Sequence, residues 1–419
     1  MTPAWSAPLN STENPMKTVD ELQVVNPNPQ THLPEMFDMC AKVFSRGMSY
    51  FGCYQWCKDA YIMNCHYDWN SSAIGIMDGK IVTHLGIWDY QMRVGAARLR
   101  VGGIGLVSTH ADYRRRGLMD RTARASIDFM TRNGYDLSLL FGIAGYYDRF
   151  GFVPAWDSTE YTIERHHLPK DKPSRPVYKF APKHRDDLAA LHSRENATRT
   201  GTAVRPTFLR NQWPEKWFGY LWKDPRGKVA GYVVLSRQDD NLSVIDCVGD
   251  DKESLAVLAL LVNRLHVKNL VFSGLHYDNP LRKRLMNQSY SWSTTRYRNS
   301  GGSMVCTINL MSSLAKLTRE FSARLRHSCL ADWRGSLLVS DARETFSLVI
   351  DRSRVKLAPP ARSKHRLAAG PHLAQLLIGS YEPVDIIEAA DMKLAGDAPC
   401  LVEVLFPFLH PSLDPWDHF

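Results

Sequence analysis

From about Leu33 onward, apolar positions along the chain fall into regular patterns. Phe37, Cys40, Ala41 and Phe44 recur at three- and four-residue steps, the period of one helix face. Two strand-like runs, Ala73–Met77 and Lys80–Trp88, flank Asp78-Gly79. An Asp-Gly pair between such runs predicts a tight hairpin, because both positions tolerate positive φ. A further run, Ile104–Ser108, leads toward three consecutive arginines, Arg114 to Arg116. After Gly117 the period lengthens again, with Met119, Ala123, Ile127 and Met130 on one helix face and Asn133-Gly134 as the stop. Leu137–Phe141 reads as the next strand. The order of helix, antiparallel strands and strand–turn–helix–strand predicts an α+β unit spanning 33–165.

The opening segment, 1–32, is rich in Pro, Asn and Thr, lacks apolar periodicity and is expected to be a mobile leader. Residues 166–176 hold three prolines among many charges and read as a linker. In 177–299, strands Val229–Leu235 and Leu242–Val248, a helix Glu253–Leu265 and a strand Leu270–Phe272 repeat the order of the first unit. Ser300-Gly301-Gly302-Ser303 reads as a joint. Beyond it, in 300–419, Leu310, Leu314, Leu317, Phe321 and Leu325 mark an amphipathic helix. Strands Ser336–Val339 and Thr345–Ile350 and a helix with Leu373, Leu376 and Leu377 follow.

Composition narrows the class. The chain has 419 residues, 44% hydrophobic and 23% charged, which excludes a disordered or collagen-like chain. A net charge of +9 favours anionic ligands. The longest Lys/Arg run is three residues, which disfavours a nucleic-acid face. The eight cysteines form no C-x-x-C pair, and Cys53 and Cys57 at helical spacing read as thiols on one face rather than zinc ligands. His84, His110, His166 and His167 have no carboxylate or Cys at ligand spacing, so no metal site is expected. Without an apolar signal segment or an 18-residue apolar run, the expected setting is the reducing cytoplasm, with no membrane span.

The chemistry lies in Leu106-Val107-Ser108-Thr109-His110-Ala111-Asp112-Tyr113-Arg114-Arg115-Arg116-Gly117-Leu118-Met119. A strand feeds a basic, Gly-containing turn that opens a helix. Unpaired N–H groups of a first helical turn, backed by the helix dipole, hold phosphate or pyrophosphate. The same pattern also fits a surface turn with solvated arginines, and the local residues leave both readings open. There is neither G-K-[ST] nor G-x-G-x-x-G here, which disfavours ATP and NAD. No G-x-S-x-G elbow points to a hydrolase. Trp213, Trp217 and Trp222 read as core or interface.

The turn resembles the acyl-CoA pyrophosphate loop of the GCN5-related N-acetyltransferases, [Q/R]-x-x-G-x-[G/A]. Arg114 and Gly117 match it, and Met119 departs from the small final residue. Tyr147-Asp148-Arg149-Phe150-Gly151-Phe152 is similar to that superfamily's Tyr-x-x-x-Gly-Phe segment. The whole layout resembles the mycobacterial "enhanced intracellular survival" acetyltransferase family. That family has tandem acetyltransferase (GNAT) domains, the second degenerate, and a C-terminal α/β domain shaped like sterol carrier protein (SCP2-like).

The resemblance implies acetyl-CoA as co-substrate and an amine acceptor, either a small molecule of aminoglycoside or polyamine type or a protein lysine. It implies no metal and a homo-oligomer, a hexamer in that family. Val107, Ser108 and Thr109 would bind pantetheine and polarise the thioester through backbone groups. Arg115, Arg116, Gly117, Leu118, Met119 and Asp120 would line the pyrophosphate, and Gly142 and Ile143 would add contacts on the next strand. Tyr147 would be the general acid, with Tyr146 as competitor. The α-carboxylate of Phe419 would be the general base, with Asp417 and His418 as nearby alternatives. The second unit, with Arg282-Lys283-Arg284-Leu285 lacking glycine at the expected place, would bind no CoA. The competing reading from another class is a non-catalytic CoA- or lipid-binding carrier or scaffold.

Overall fold

A computed structural model describes residues 21–45, 49–63, 65–205, 217–295 and 301–419. The first unit holds β1 (Gln23–Val25), α1 (Leu33–Phe44) and α2 (Tyr50–Gln55), the last continuing into π-helical turns Trp56–Met63. Then come β2 (Ala73–Met77), β3 (Lys80–Val94), β4 (Ala97–Thr109), α3 (Leu118–Arg132) and β5 (Leu137–Gly142). The β2–β3 hairpin turns on Asp78 and Gly79, at φ 55° and 71°. The four periodic positions of α3, Met119, Ala123, Ile127 and Met130, are all buried against one face of this sheet with Ile104, Leu140 and Phe152. Helix α1 covers the other face through Met36, Phe37, Met39 and Cys40. Each such buried Met, Ile, Leu or Phe side chain contributes about 1.5–3 kcal/mol relative to exposure.

Continuing the chain are β6 (Val153–Pro154), β7 (Ser158–Glu164), β8 (Val177–Lys179), α4 (Arg185–Glu195), β9 (Trp217–Lys223), β10 (Val229–Gln238) and β11 (Asn241–Gly249). Next are α5 (Asp251–Arg264), β12 (Asn269–Ser273), α6 (Pro280–Leu285), β13 (Ser291–Thr295) and β14 (Gly302–Thr307). The first sheet runs β1-β2-β3-β4-β5-β14-β6 and the second β13-β7-β12-β11-β10-β9-β8. The unit β10–β11–α5–β12 repeats β3–β4–α3–β5: Asn241–Val244 lie parallel to Asn269–Phe272 as Val101–Ile104 lie parallel to Leu137–Leu140.

The sheets depart from the boundaries read in the sequence. Strand β7, within 33–165, inserts between β12 and β13 of the second sheet, and β14, within 300–419, inserts between β5 and β6 of the first. Each of the two sheets is thus completed by a strand from outside the unit in which its other strands lie. The leader also contributes: β1 pairs with β2, and Leu22 and Val24 pack with Met77, Val82 and Leu118. The linker is pinned, because Leu168 is buried and the backbone N–H groups of Ser174 and Arg175 donate to Glu253 at 3.0 and 2.9 Å. Trp222 lies in the second core, Trp217 packs beside α4, and Trp213 falls outside the described residues.

The last unit comprises α7 (Leu310–Arg326), β15 (Arg334–Ser340), β16 (Thr345–Asp351), β17 (Arg354–Ala358), β18 (His365–Ala368), α8 (Leu373–Ile378), α9 (Pro383–Ala389), β19 (Lys393–Ala395) and α10 (Ala398–Leu405). Its sheet runs β17-β16-β15-β18-β19. The five periodic residues of α7 are fully buried, in a core continuous with that under α1. The tail then crosses the second unit, with Ser412 N–H donating to Thr200 O at 3.3 Å, and returns to the first sheet. Among the described residues, no helix is long and apolar enough to cross a membrane.

Candidate active site

Strands β4 and β5 part company. Their parallel pairing ends at Ile104–Leu140, although β4 runs on to Thr109 and β5 to Gly142. On its other side β4 bulges: Gly86 faces Gly105 and His84 faces Ser108, so Leu85 alone stands opposite both Leu106 and Val107. Leu106 adopts φ 47°, an uncommon conformation for a bulky residue. A strand that leaves one neighbour and bulges on the other presents backbone groups to the gap. Val107 and Thr109 lie along it, half-buried. Ser108 is buried and its hydroxyl donates to Leu106 O at 3.0 Å, so only its backbone can serve the gap.

Beyond β4 the chain turns through Arg115 at φ 62° and Gly117 at φ 71°, and Gly117 is the N-cap of α3. Having no side chain, Gly117 leaves the first helical turn without a side-chain cap, and a Cβ there would meet nothing within 4 Å. The helix mouth is therefore open and its dipole uncompensated at that point. Arg114 Nε donates to Thr109 O at 3.2 Å and Arg116 Nη2 to Asp112 O at 2.9 Å, bracing the loop. Arg115 is exposed. Leu118 and Met119 bury their side chains, so they can offer an anion only backbone N–H groups. Asp120 is tied up: Arg149 Nη1 lies 3.2 Å from it, and the Tyr146 hydroxyl donates to it at 3.4 Å. This pairing offsets the one negative charge in the first turn.

Tyr147 lies at the far end of β5. Its ring packs on Gly142, where an added Cβ would sit 2.5 Å from a ring carbon. Burial pushes its hydroxyl pKa up to about 12, so it is a protonated donor at neutral pH. Tyr146 is also pushed up to about 12, by burial and then by the Asp120 charge, but it is engaged with Asp120 and covered by Arg149, 4.7 Å from its ring centre. Ile143 stands 61% exposed beside Gly142. A cavity of about 520 Å³ adjoins this end of β5, bordered by Gly142, Gly145, Asp148, Trp156 and Tyr381.

The Phe419 ring lies on Gly103 of β4, where an added Cβ would come within 2.6 Å of it. The ring centres of Tyr90 and Phe141 are 5.7 and 5.5 Å away. Phe141 and Gly142 are consecutive in a strand and project to opposite faces. Phe419 and Tyr147 therefore flank the same end of β5 from its two sides. The neighbours of Phe419 are differently employed. Asp417, fully buried, accepts from Arg205 Nε at 2.9 Å and Nη2 at 2.8 Å. His418 stacks on Phe141 at 4.3 Å. Arg205 also reaches Asp246 at 2.6 Å and Tyr232 Oη at 2.8 Å, with Trp416 4.7 Å from its guanidinium carbon. His192, Asp414 and Asp417 bring ligand-type atoms within 4.8 Å of one another, but the Arg205 guanidinium already supplies the positive charge there.

Sequence reading missed Arg205, because its partners lie 41 and 212 positions away. It also missed the aromatic wall beside the bulge, where Trp88 packs against Tyr61 at 5.0 Å and Tyr67 at 5.3 Å. In the second unit it took Arg282–Leu285, which lacks glycine, as the place matching the basic turn; that segment lies in α6. The topological equivalent is the β11–α5 turn. There the Asp250 side chain caps Glu253 N–H at 2.9 Å, while Asp251 and Glu253 add negative charge. That helix mouth is capped, acidic and closed to phosphate.

Residues 25–155 match the acetyltransferase (GNAT) domain family. No curated protein sequence matches the chain. Among solved structures, a GCN5-related N-acetyltransferase from Kribbella flavida aligns with TM-score 0.74 at 19% identity, over 94% of this chain and 99% of that one. A GCN5-related N-acetyltransferase from Anabaena variabilis gives 0.76 at 14%, over 95% and 100%. Eis1 from Mycobacterium abscessus gives 0.64 at 15%, over 93% and 98%. At these identities the likeness is one of fold along nearly the whole chain. Together with the domain match, it supports acyl transfer as the general class of reaction.

Proposed function

We propose that the chain is an acetyl-CoA-dependent N-acetyltransferase that moves an acetyl group directly to an amine. The observation that carries this reading is the gap between β4 and β5, entered from one end by the uncapped mouth of α3. The residues fit a CoA thioester. The α3 mouth and Arg115 and Arg116 suit a diphosphate, with Gly117 leaving room for close approach. The diverging strands suit an extended pantetheine arm, with Gly142 and Ile143 on the opposite bank.

The backbone N–H of Val107 is assigned to the thioester oxygen, where negative charge develops; one such preorganised donor is worth about 3 kcal/mol. Tyr147 is assigned the proton that neutralises the departing thiolate, since its raised pKa lies above that of a thiol. The α-carboxylate of Phe419 is assigned the proton lost by the attacking ammonium, from the opposite face of β5. In this reading the second unit is a degenerate acetyltransferase-like scaffold, the last an SCP2-like domain, and the enzyme a cytoplasmic homo-oligomer. The acceptor is of aminoglycoside, polyamine or lysine type.

The test is thiol release from acetyl-CoA across an amine panel, comparing the intact chain with one extended beyond Phe419. Amine-dependent release that the extension abolishes, with CoA affinity unchanged, supports the assignment. Full activity in the extended chain removes Phe419 from the mechanism, and absence of CoA binding in calorimetry removes the enzyme reading altogether.

A further inference from the structure

His84 is fully buried on β3, beside the bulge in β4. Its Nδ1 lies 2.8 Å from the carbonyl oxygen of Leu106, and its Nε2 lies 2.8 Å from the Tyr67 hydroxyl. A carbonyl oxygen can only accept, so Nδ1 carries the proton and Nε2 accepts from Tyr67. Burial lowers the ring's pKa to about 4, so this neutral tautomer holds across the physiological range. The groups facing the ring besides Tyr67 and Leu106 are Cys40, whose Sγ is 3.6 Å from Nδ1, and Ser108, whose hydroxyl shares the same Leu106 oxygen at 3.0 Å. Cys40 is itself buried, and its thiol is pushed up to about 12, so no charge stands against the imidazole from that side.

A peptide unit is planar and trans, so its N–H points opposite to its C=O. The carbonyl of Leu106 is drawn toward β3 by His84 and Ser108. The N–H of Val107, in the same peptide unit, is thereby turned away from β3, toward the side on which β5 has diverged. Leu106 pays for this with its φ of 47°, which costs on the order of 1–3 kcal/mol and persists only when neighbours enforce it.

We infer that His84 is a positioning residue for acyl transfer: it clamps the bulge peptide so that the Val107 N–H is fixed in the direction of the thioester oxygen. The inference rests on the acyl-transfer reading above and adds to it a residue that touches neither substrate.

The test uses the full chain with acetyl-CoA and an amine acceptor that the wild type turns over. H84F keeps an aromatic ring, slightly larger than imidazole, but donates nothing; H84N returns an N–H near the position of Nδ1. H84F is expected to lower kcat about 10- to 100-fold, a fraction of what deleting an oxyanion donor outright costs. Its KM and CoA affinity should stay within about twofold of wild type, because the α3 mouth is untouched, and H84N should regain most of the rate. A second readout is the infrared carbonyl stretch of bound acetyl-carba(dethia)-CoA, the ketone in which CH2 replaces sulfur. It should shift toward its solution value in H84F and return in H84N.

Y67F, which leaves the ring in place but withdraws the partner of Nε2, should show the same effect weakly, and it stands in if H84F does not fold. A wild-type rate or an unshifted carbonyl stretch in H84F or Y67F overturns the inference while leaving acyl transfer intact. So does equal loss in H84F and H84N. Failure of the wild type to release thiol with any amine sinks the underlying reading instead.

Discussion

Replacing Gly103 by alanine tests whether the Phe419 terminus works where it lies. A Cβ at position 103 would sit 2.6–2.7 Å from three carbons of the Phe419 ring. Carbon atoms rest at about 3.5–4.0 Å, so the ring must retreat by about 1 Å. Gly103 cannot yield instead, being paired on both sides, with Trp88 on β3 and Leu139 on β5. The overpacking should cost about 1–3 kcal/mol of stability. The larger effect is kinetic, since displacing a reacting group by about 1 Å can cost about 100-fold in rate. The assay is steady-state thiol release at saturating acetyl-CoA, beside calorimetric titration of CoA. Expected are a kcat lowered about 100-fold and a CoA affinity unchanged, because the α3 mouth is on another part of the strand–helix unit.

The control is Gly134→Ala, at the C-terminal end of α3. There φ is 74° and an added Cβ meets nothing, so alanine brings about 1–2 kcal/mol of backbone strain without touching the site. The two variants should melt similarly and differ in kcat. A Gly103→Ala enzyme with wild-type kcat would refute the reasoning, for the ring would have moved without consequence.

Tyr147→Phe should lower kcat by about 10²–10⁴ with CoA affinity intact. Because the hydroxyl is held near 12, the wild-type rate should not fall as pH rises through 10, measured by thiol release over a pH series. Arg115→Ala with Arg116→Ala should raise the KM for acetyl-CoA at least about tenfold while leaving kcat nearly unchanged, since a hydrogen bond to a charged group is worth about 1.5–3 kcal/mol. Arg205→Met should destabilise the fold by about 3–5 kcal/mol, because Asp417 and Asp246 would be left buried without their cation. Burial already holds Asp417 above the ordinary carboxylate range. A group raised on folding contributes least instability while protonated, so thermal melts of this variant should show the deficit smallest below about pH 4 and growing toward neutrality.

Local signals in the sequence were dependable where one element decides its own shape. Asp78-Gly79 demanded its turn, and the apolar stripe of α3 and the five leucine and phenylalanine positions of α7 all reached the core. What stayed hidden was decided at long range. Strands β7 and β14 are short and carry no mark of which sheet they join, since either edge offers the same backbone groups. Residues 23–25 form a strand only because β2 offers an edge. The bulge falls on a leucine, a residue that gives no hint of positive φ. In the site, the basic loop and Tyr147 were visible as motifs. His84 was weighed only as a metal ligand and set aside on spacing, since the partner that gives it another role is a carbonyl on another strand. Asp417 and Phe419 are two positions apart, yet one is clamped by a buried guanidinium and the other packed on a glycine, a distinction that only the fold supplies.

The crossing of strands between sheets ties the second unit to the first. β14 follows β13 in the chain, so β5 takes its outer neighbour from a segment that lies beyond the second sheet in sequence. The second unit supplies Asp246 and Tyr232, which hold Arg205, which in turn holds Asp417. The acidic cap of α5 forbids an anion there but stabilises that helix and ties down 174–175 through Glu253. A chain truncated to the first unit would lack β14, the Arg205 clamp and Phe419 together, and so would lose the outer neighbour of β5 and, in the function proposed above, its general base.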